Sequence, residues 1–158
     1  GVPVLIPIAW FGIIYMSINF GCFLTDIQFP FRNGIDYYFI FLIAIFVVLL
    51  DFVLDPLAVD EKRWSWESPG IYYGVPLLNF FGWLLVPTLI VLIFHKYSQP
   101  SIATVDLHSA LFQNFPAILF IVLPIIASRP CFERGLKIPG YLGIIITVSY
   151  FLLGMNKY

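Results

Sequence analysis

Five times along this chain, about twenty residues pass that are almost wholly apolar and almost free of charge. An α-helix crosses the roughly 30 Å hydrocarbon layer of a bilayer in about 20 residues. Inside that layer every backbone N–H and C=O must be paired locally, which a helix does and an open strand does not. The runs fall at about 3–25, 36–59, 71–94, 108–128 and 138–155. They predict an all-α fold, a polytopic integral membrane bundle of about five transmembrane helices. No connection is long enough for a soluble domain, so residues 1–158 form a single integral membrane domain. The chain is 61% hydrophobic and 11% charged, with a net charge of −1. That charge gives no footing for nucleic acid or for an anionic membrane surface.

Asp51 breaks the second run, nine residues before Asp60. At about 1.5 Å per residue it lies roughly 13 Å inside. A carboxylate there costs at least about 2.5–3.5 kcal/mol on insertion scales, so it should face a protein or water-filled interior. Asp55 follows four residues later, on the same helical face. Two carboxylates in a low-dielectric site cannot easily be ionised together, and a neutral aspartic acid can donate a proton. The plainer reading is that Asp51 pairs with a polar group on another helix. In that reading Asp55, before Pro56, simply marks a helix end near the interface; if Asp51 is instead a working acid, Asp55 is expected to matter less, lying nearer the surface where water can substitute.

The segment Arg63–Trp83, RWSWESPGIYYGVPLLNFFGW, holds three of the four tryptophans together with Tyr72 and Tyr73. Trp64 and Trp66 fit an interfacial belt or an aromatic pocket mouth whose rings stabilise a cation. Asn79, about eight residues inside a span that begins at 71, should hydrogen-bond across helices, with Asp51 a candidate partner. Tyr72, Pro76, Asn79 and Trp83 are spaced 4, 3, 4 and so form one helical stripe expected to line a cleft with Asp51, Tyr73 included. Leu77, Phe81 and Leu84 fall on the opposite face, the natural lipid side. Pro7, Pro76, Pro87, Pro116 and Pro124 are placed to kink their helices and open cavities between them.

The remaining candidates are plain. Cys22 and Cys131 make no spacing motif. His95 and His108 fall at membrane edges without metal-ligand spacing, and Gln113 and Asn114 suit helix–helix hydrogen bonds. There is no Gly-rich phosphate loop, Ser-His-Asp order or Cys-x-x-Cys. Lys62, Arg63, Arg129, Arg134 and Lys137 against Arg32, Lys96 and Lys157 put the 60–70 and 129–137 loops in the cytoplasm. Residues 2–24 are too long for a cleaved signal and lack a small-residue cleavage site, and the start at Gly1 suggests residues upstream.

The strings GVPVLIPIAWF (1–11), LDFVLDPLAV (50–59), RWSWE (63–67) and YYGVPLLNFFGW (72–83) resemble the membrane-bound carotenoid biosynthesis family that includes bisanhydrobacterioruberin hydratase and other carotenoid end-group hydratases. From about residue 97 the likeness is one of hydropathy alone. Members of that family typically carry further helices ahead of the stretch matching Gly1, so this chain is expected to lack that part of the pattern. The resemblance implies addition of water across the terminal isopropylidene double bond of a linear carotenoid, giving a tertiary alcohol. It implies no cofactor, the carotenoid being substrate or bound pigment. Protonation of the less substituted alkene carbon leaves a tertiary carbocation that water captures. Asp51, with Asp55, would be the catalytic acid, and Trp64, Trp66, Tyr72, Tyr73, Asn79 and Trp83 would bind the substrate. The partners implied are a linear carotenoid, the lipid bilayer and other membrane subunits, in a prokaryotic cytoplasmic membrane.

A second reading is a non-catalytic pigment-binding or scaffolding subunit of a larger membrane complex, such as a photosynthetic one, derived from that family. The start at Gly1 and the aromatic content of 19% suit it. Asp51, Asp55 and the aromatic segment suit the hydratase. A proton or ion transporter ranks third, because one acidic pair is no relay across the membrane.

Overall fold

The computed structural model describes residues 5–25, 27, 36–97 and 110–155. Arg32, Lys157, His108 and the side chain of Gln113 lie outside the described residues. Five helices form: α1 Leu5–Thr25, α2 Tyr37–Asp60, α3 Leu77–Tyr97, α4 Ala110–Glu133 and α5 Lys137–Met155. All five are long and apolar enough to cross a membrane. Among the described residues there is no strand, only two isolated bridges. The fold is thus the all-α membrane bundle expected.

Local chemistry sets the helix ends. Asp36 caps α2, its side chain accepting from the Phe39 N–H at 2.9 Å. After α4 the chain turns at Gly135, whose φ of 76° suits a residue without Cβ. Leu136 N–H bonds Cys131 O at 2.8 Å and Gly135 N–H bonds Phe132 O at 3.0 Å, a Schellman cap that sends α5 back antiparallel. Gly143 then lets α5 press on α4, since a Cβ there would sit 2.2 Å from Ser128 Oγ. Pro56, Pro87, Pro116, Pro124 and Pro130 lie inside helices. Pro7 falls in the first turn of α1, and Pro76 precedes α3.

α2 is the central helix, packed against α1, α3, α4 and α5. Phe20, Phe46, Phe120 and Tyr150, one from each of α1, α2, α4 and α5, meet as a ring cluster with centroids 4.8–6.4 Å apart. α3 stands outside this cluster and packs chiefly on α2. At one end Arg134 bridges to Asp60 at 2.8 Å and to Glu61 at 3.4 Å, tying the loop after α2 to the turn after α4.

The third span differs from expectation in a way that shapes the site. It begins at Leu77, not at 71. Pro76 supplies no N–H and pushes Val75 out of the helical region. Tyr73 (φ 50°) and Gly74 (φ 83°) are left-handed, and bridges join Gly70 to Gly74 and Tyr72 to Val75. Residues 70–75 are therefore a tight turn. They fold back along α2, with Val75 fully buried and the Tyr72 hydroxyl bonded to Phe52 O at 2.9 Å.

Candidate active site

Asp51 and Asp55 are both about 2% exposed, on the face of α2 turned toward α3. The turn at 70–75 delays α3, so its first turn arrives level with the two acids. Asn79, two residues into α3, donates its Nδ2 to Asp51 Oδ2 at 3.0 Å and to Asp55 Oδ2 at a shorter distance. One amide thus bridges both carboxyls. The carboxyls also lie against each other and against the side chain of Trp83. Asp51 Oδ1 is buried and has no hydrogen-bond partner among the described residues.

Asp51 and Asp55 open onto a cavity of about 410 Å³ between α1, α2 and α3. Its walls are mostly aliphatic, with Arg63, Trp64, Trp83 and Trp10. Trp10 and Trp83 stack, with ring centroids 3.7 Å apart and planes 13° apart. Trp10 was not among the residues expected at the site. Its signal was present, since it stands in the string GVPVLIPIAWF, but nothing in its spacing ties it to α3.

The expected substrate residues divide into three groups. Trp64 and Trp83 line the acid cavity. Asn79 bridges the acids from behind and, with Trp66, Glu67 and Ser68, lines a separate cleft of about 520 Å³ on the loop side. Tyr72 and Tyr73 line neither cavity. Tyr72 lies edge-on to Phe52, Tyr73 and Phe80, and the Tyr73 hydroxyl accepts from Ile138 N at 3.4 Å. The expected single stripe from Tyr72 to Trp83 is therefore corrected: Tyr72 is not in α3, and the stripe is broken at Pro76. On the far face Leu77 and Phe81 are exposed, as a lipid side requires, whereas Leu84 is half-buried. The expectation that Asp55 lies nearer the surface than Asp51, within reach of water, is corrected too, because it is buried as fully as Asp51. Replacing Tyr72 by phenylalanine is expected to cost about 1 kcal/mol of stability in thermal unfolding, the net worth of one neutral hydrogen bond. Turnover at the acid cavity should not change.

Among the described residues no group of three or more His, Cys, Asp or Glu side chains is placed to hold a metal ion. What the site offers is a buried acid pair in a largely apolar, tryptophan-walled cavity, a setting for proton transfer to an apolar substrate.

A family model described as "Carotenoid biosynthesis protein" matches residues 1–150. Bisanhydrobacterioruberin hydratase of Haloarcula japonica is 50% identical over 48 residues, a stretch that is 30% of this chain and 16% of that protein. No solved structure matches the chain.

Proposed function

The chain belongs to the carotenoid biosynthesis protein family, and from that premise we propose that it adds water across the terminal double bond of a linear carotenoid. The observation that carries this reading is the buried Asp51–Asp55 pair, bridged by Asn79 and opening into an apolar cavity. The curated relative is named as a hydratase, and its name agrees with the chemistry these residues can do.

The mechanism needs one proton, one water and no redox partner. The pair holds one proton, carried on Asp51 Oδ1, since two adjacent buried carboxylates are not stable together. Asp51, through its unpartnered Oδ1, delivers that proton to the less substituted carbon of the terminal isopropylidene bond. The π electrons form the new C–H bond and leave a tertiary carbocation. The ring faces of Trp64 and Trp83 stabilise it. Water attacks the cation, and its surplus proton passes to the carboxylate pair, which restores the acid. The sum is alkene plus water to tertiary alcohol. Water comes from the loop side, where Glu67, Ser68 and Asn79 line the second cleft. The membrane is proposed to be a prokaryotic cytoplasmic membrane, with the 61–76 loop and the 134–136 turn facing the cytoplasm.

The test is to express the chain in cells that make an acyclic carotene with isopropylidene ends and to grow them in ¹⁸O-labelled water. The expected product is a tertiary alcohol carrying the label. Carotene that co-purifies unchanged with the protein, with no labelled alcohol formed, would establish the pigment-binding reading instead.

A further inference from the structure

A second cavity of about 760 Å³ runs between α1 and α3 on their outer side. Its walls are two ridges at four-residue spacing, Trp10, Ile14 and Ile18 on α1 and Val86, Ile90 and Phe94 on α3. Along α1 it extends from Ile6 to Cys22, about 24 Å at 1.5 Å per residue. Phe94 is 53% exposed and Ile90 40%, so the trough is open along its side, toward lipid. It shares Ile6 and Trp10 with the acid cavity. Trp10 thus stands between the two spaces, stacked on the same Trp83 that lies against the carboxyls.

We propose that this groove holds the polyene chain of the carotenoid whose end group is in the acid cavity, and that Trp10 is the positioning residue at the passage between them. The proposal deepens the hydratase reading and rests on it for the identity of the ligand. A cavity of about 410 Å³ takes a group of ordinary ligand size. A linear carotenoid is far longer, so the rest of its chain must leave the cavity along a continuous path. The groove offers that path: it is apolar, abuts the acid cavity at Ile6 and Trp10, and opens toward the bilayer where such a molecule dissolves. A stiff conjugated rod suits a trough between two straight ridges. Stacked indoles at its head fix how far the end group advances toward Asp51.

The experiment uses the full chain, purified in detergent from cells making an acyclic carotene with isopropylidene ends. Val86→Trp adds bulk inside the groove, and Leu89→Trp adds the same bulk on the exposed face of α3, where Leu89 is 46% exposed and lines no part of the groove. Bound carotene per protein is read by visible absorbance. Hydration is measured for the carotene and for a short terpene bearing the same isopropylidene end. Val86→Trp should lower bound carotene and carotene hydration by about ten-fold or more, as overpacking a close contact does, with the short terpene hydrated as before. Leu89→Trp should match the parent. Trp10→Ala should raise KM for the carotene by a larger factor than KM for the short terpene, because only the carotene has to pass from one space into the other. If Val86→Trp also loses short-terpene hydration, Ile90→Trp, one turn further along, is judged by the same criteria. Carotene retained at the parent ratio in the groove variant would overturn the proposal and leave the trough to bilayer acyl chains. A parent protein that binds carotene but hydrates neither substrate would end the hydratase reading, while the groove is still decided by the bound-carotene ratio.

Discussion

Asp51→Asn is expected to lower hydration of the carotenoid end by at least about 100-fold, the usual worth of a positioned general acid, without unfolding the bundle. Asparagine matches the shape of aspartate and can still accept from Asn79 Nδ2, now at 3.0 Å from Asp51 Oδ2. What it lacks is an acidic proton. Its NH2 takes the place of Oδ1, which has no partner among the described residues, so the bridged arrangement at the head of α3 survives. The measurement is labelled-alcohol formation by purified protein at matched concentration, alongside a thermal unfolding curve. Undiminished turnover in a folded variant would remove Asp51 from the acid role. Asp55→Asn is expected to fall in the same direction, because the structure buries Asp55 as deeply and joins it to the same amide.

Asn79→Leu should be the most damaging change for both stability and activity. Asn79 is a donor to both carboxyls, and leucine leaves their Oδ2 atoms facing an apolar group. Each orphaned buried acceptor costs about 1–3 kcal/mol, so the unfolding midpoint in detergent should drop clearly and hydration should be lost with it. A structural cost and a chemical one are separated by the triple variant Asp51→Leu, Asp55→Leu, Asn79→Leu. Removing all the polar partners together from a buried site is often close to neutral, so stability should recover while hydration stays absent. An Asn79→Leu protein as stable as the parent would show that the amide bridge holds nothing together.

Much of this was legible from residue order. The five spans follow from hydropathy and length, because a bilayer admits few solutions for a long uncharged run. Their number, type and approximate limits needed nothing else. The depth of Asp51 also followed from counting along one helix, and with it the conclusion that the side chain faces the interior. The fourth span, expected to end at 128, instead runs on to Glu133 and stops at the Gly135 turn.

The start of α3 was misjudged because hydropathy does not distinguish a buried turn from a helix. Residues 70–75 are apolar enough to extend the span, and the cues against it were Pro69–Gly70, Gly74 and Pro76. That shift of six residues moved Tyr72 and Tyr73 out of the site and brought Asn79 level with the acids. The pairing of Trp10 with Trp83, the place of Trp10 between the two cavities, and the equal burial of Asp55 were decided only by tertiary structure. Sequence fixes which residues lie on one face of one helix, through a period of 3.6 residues. Which faces then meet depends on how α1 and α3 flank α2, and that is set by packing between segments far apart in the chain, for which a single sequence carries no local signal.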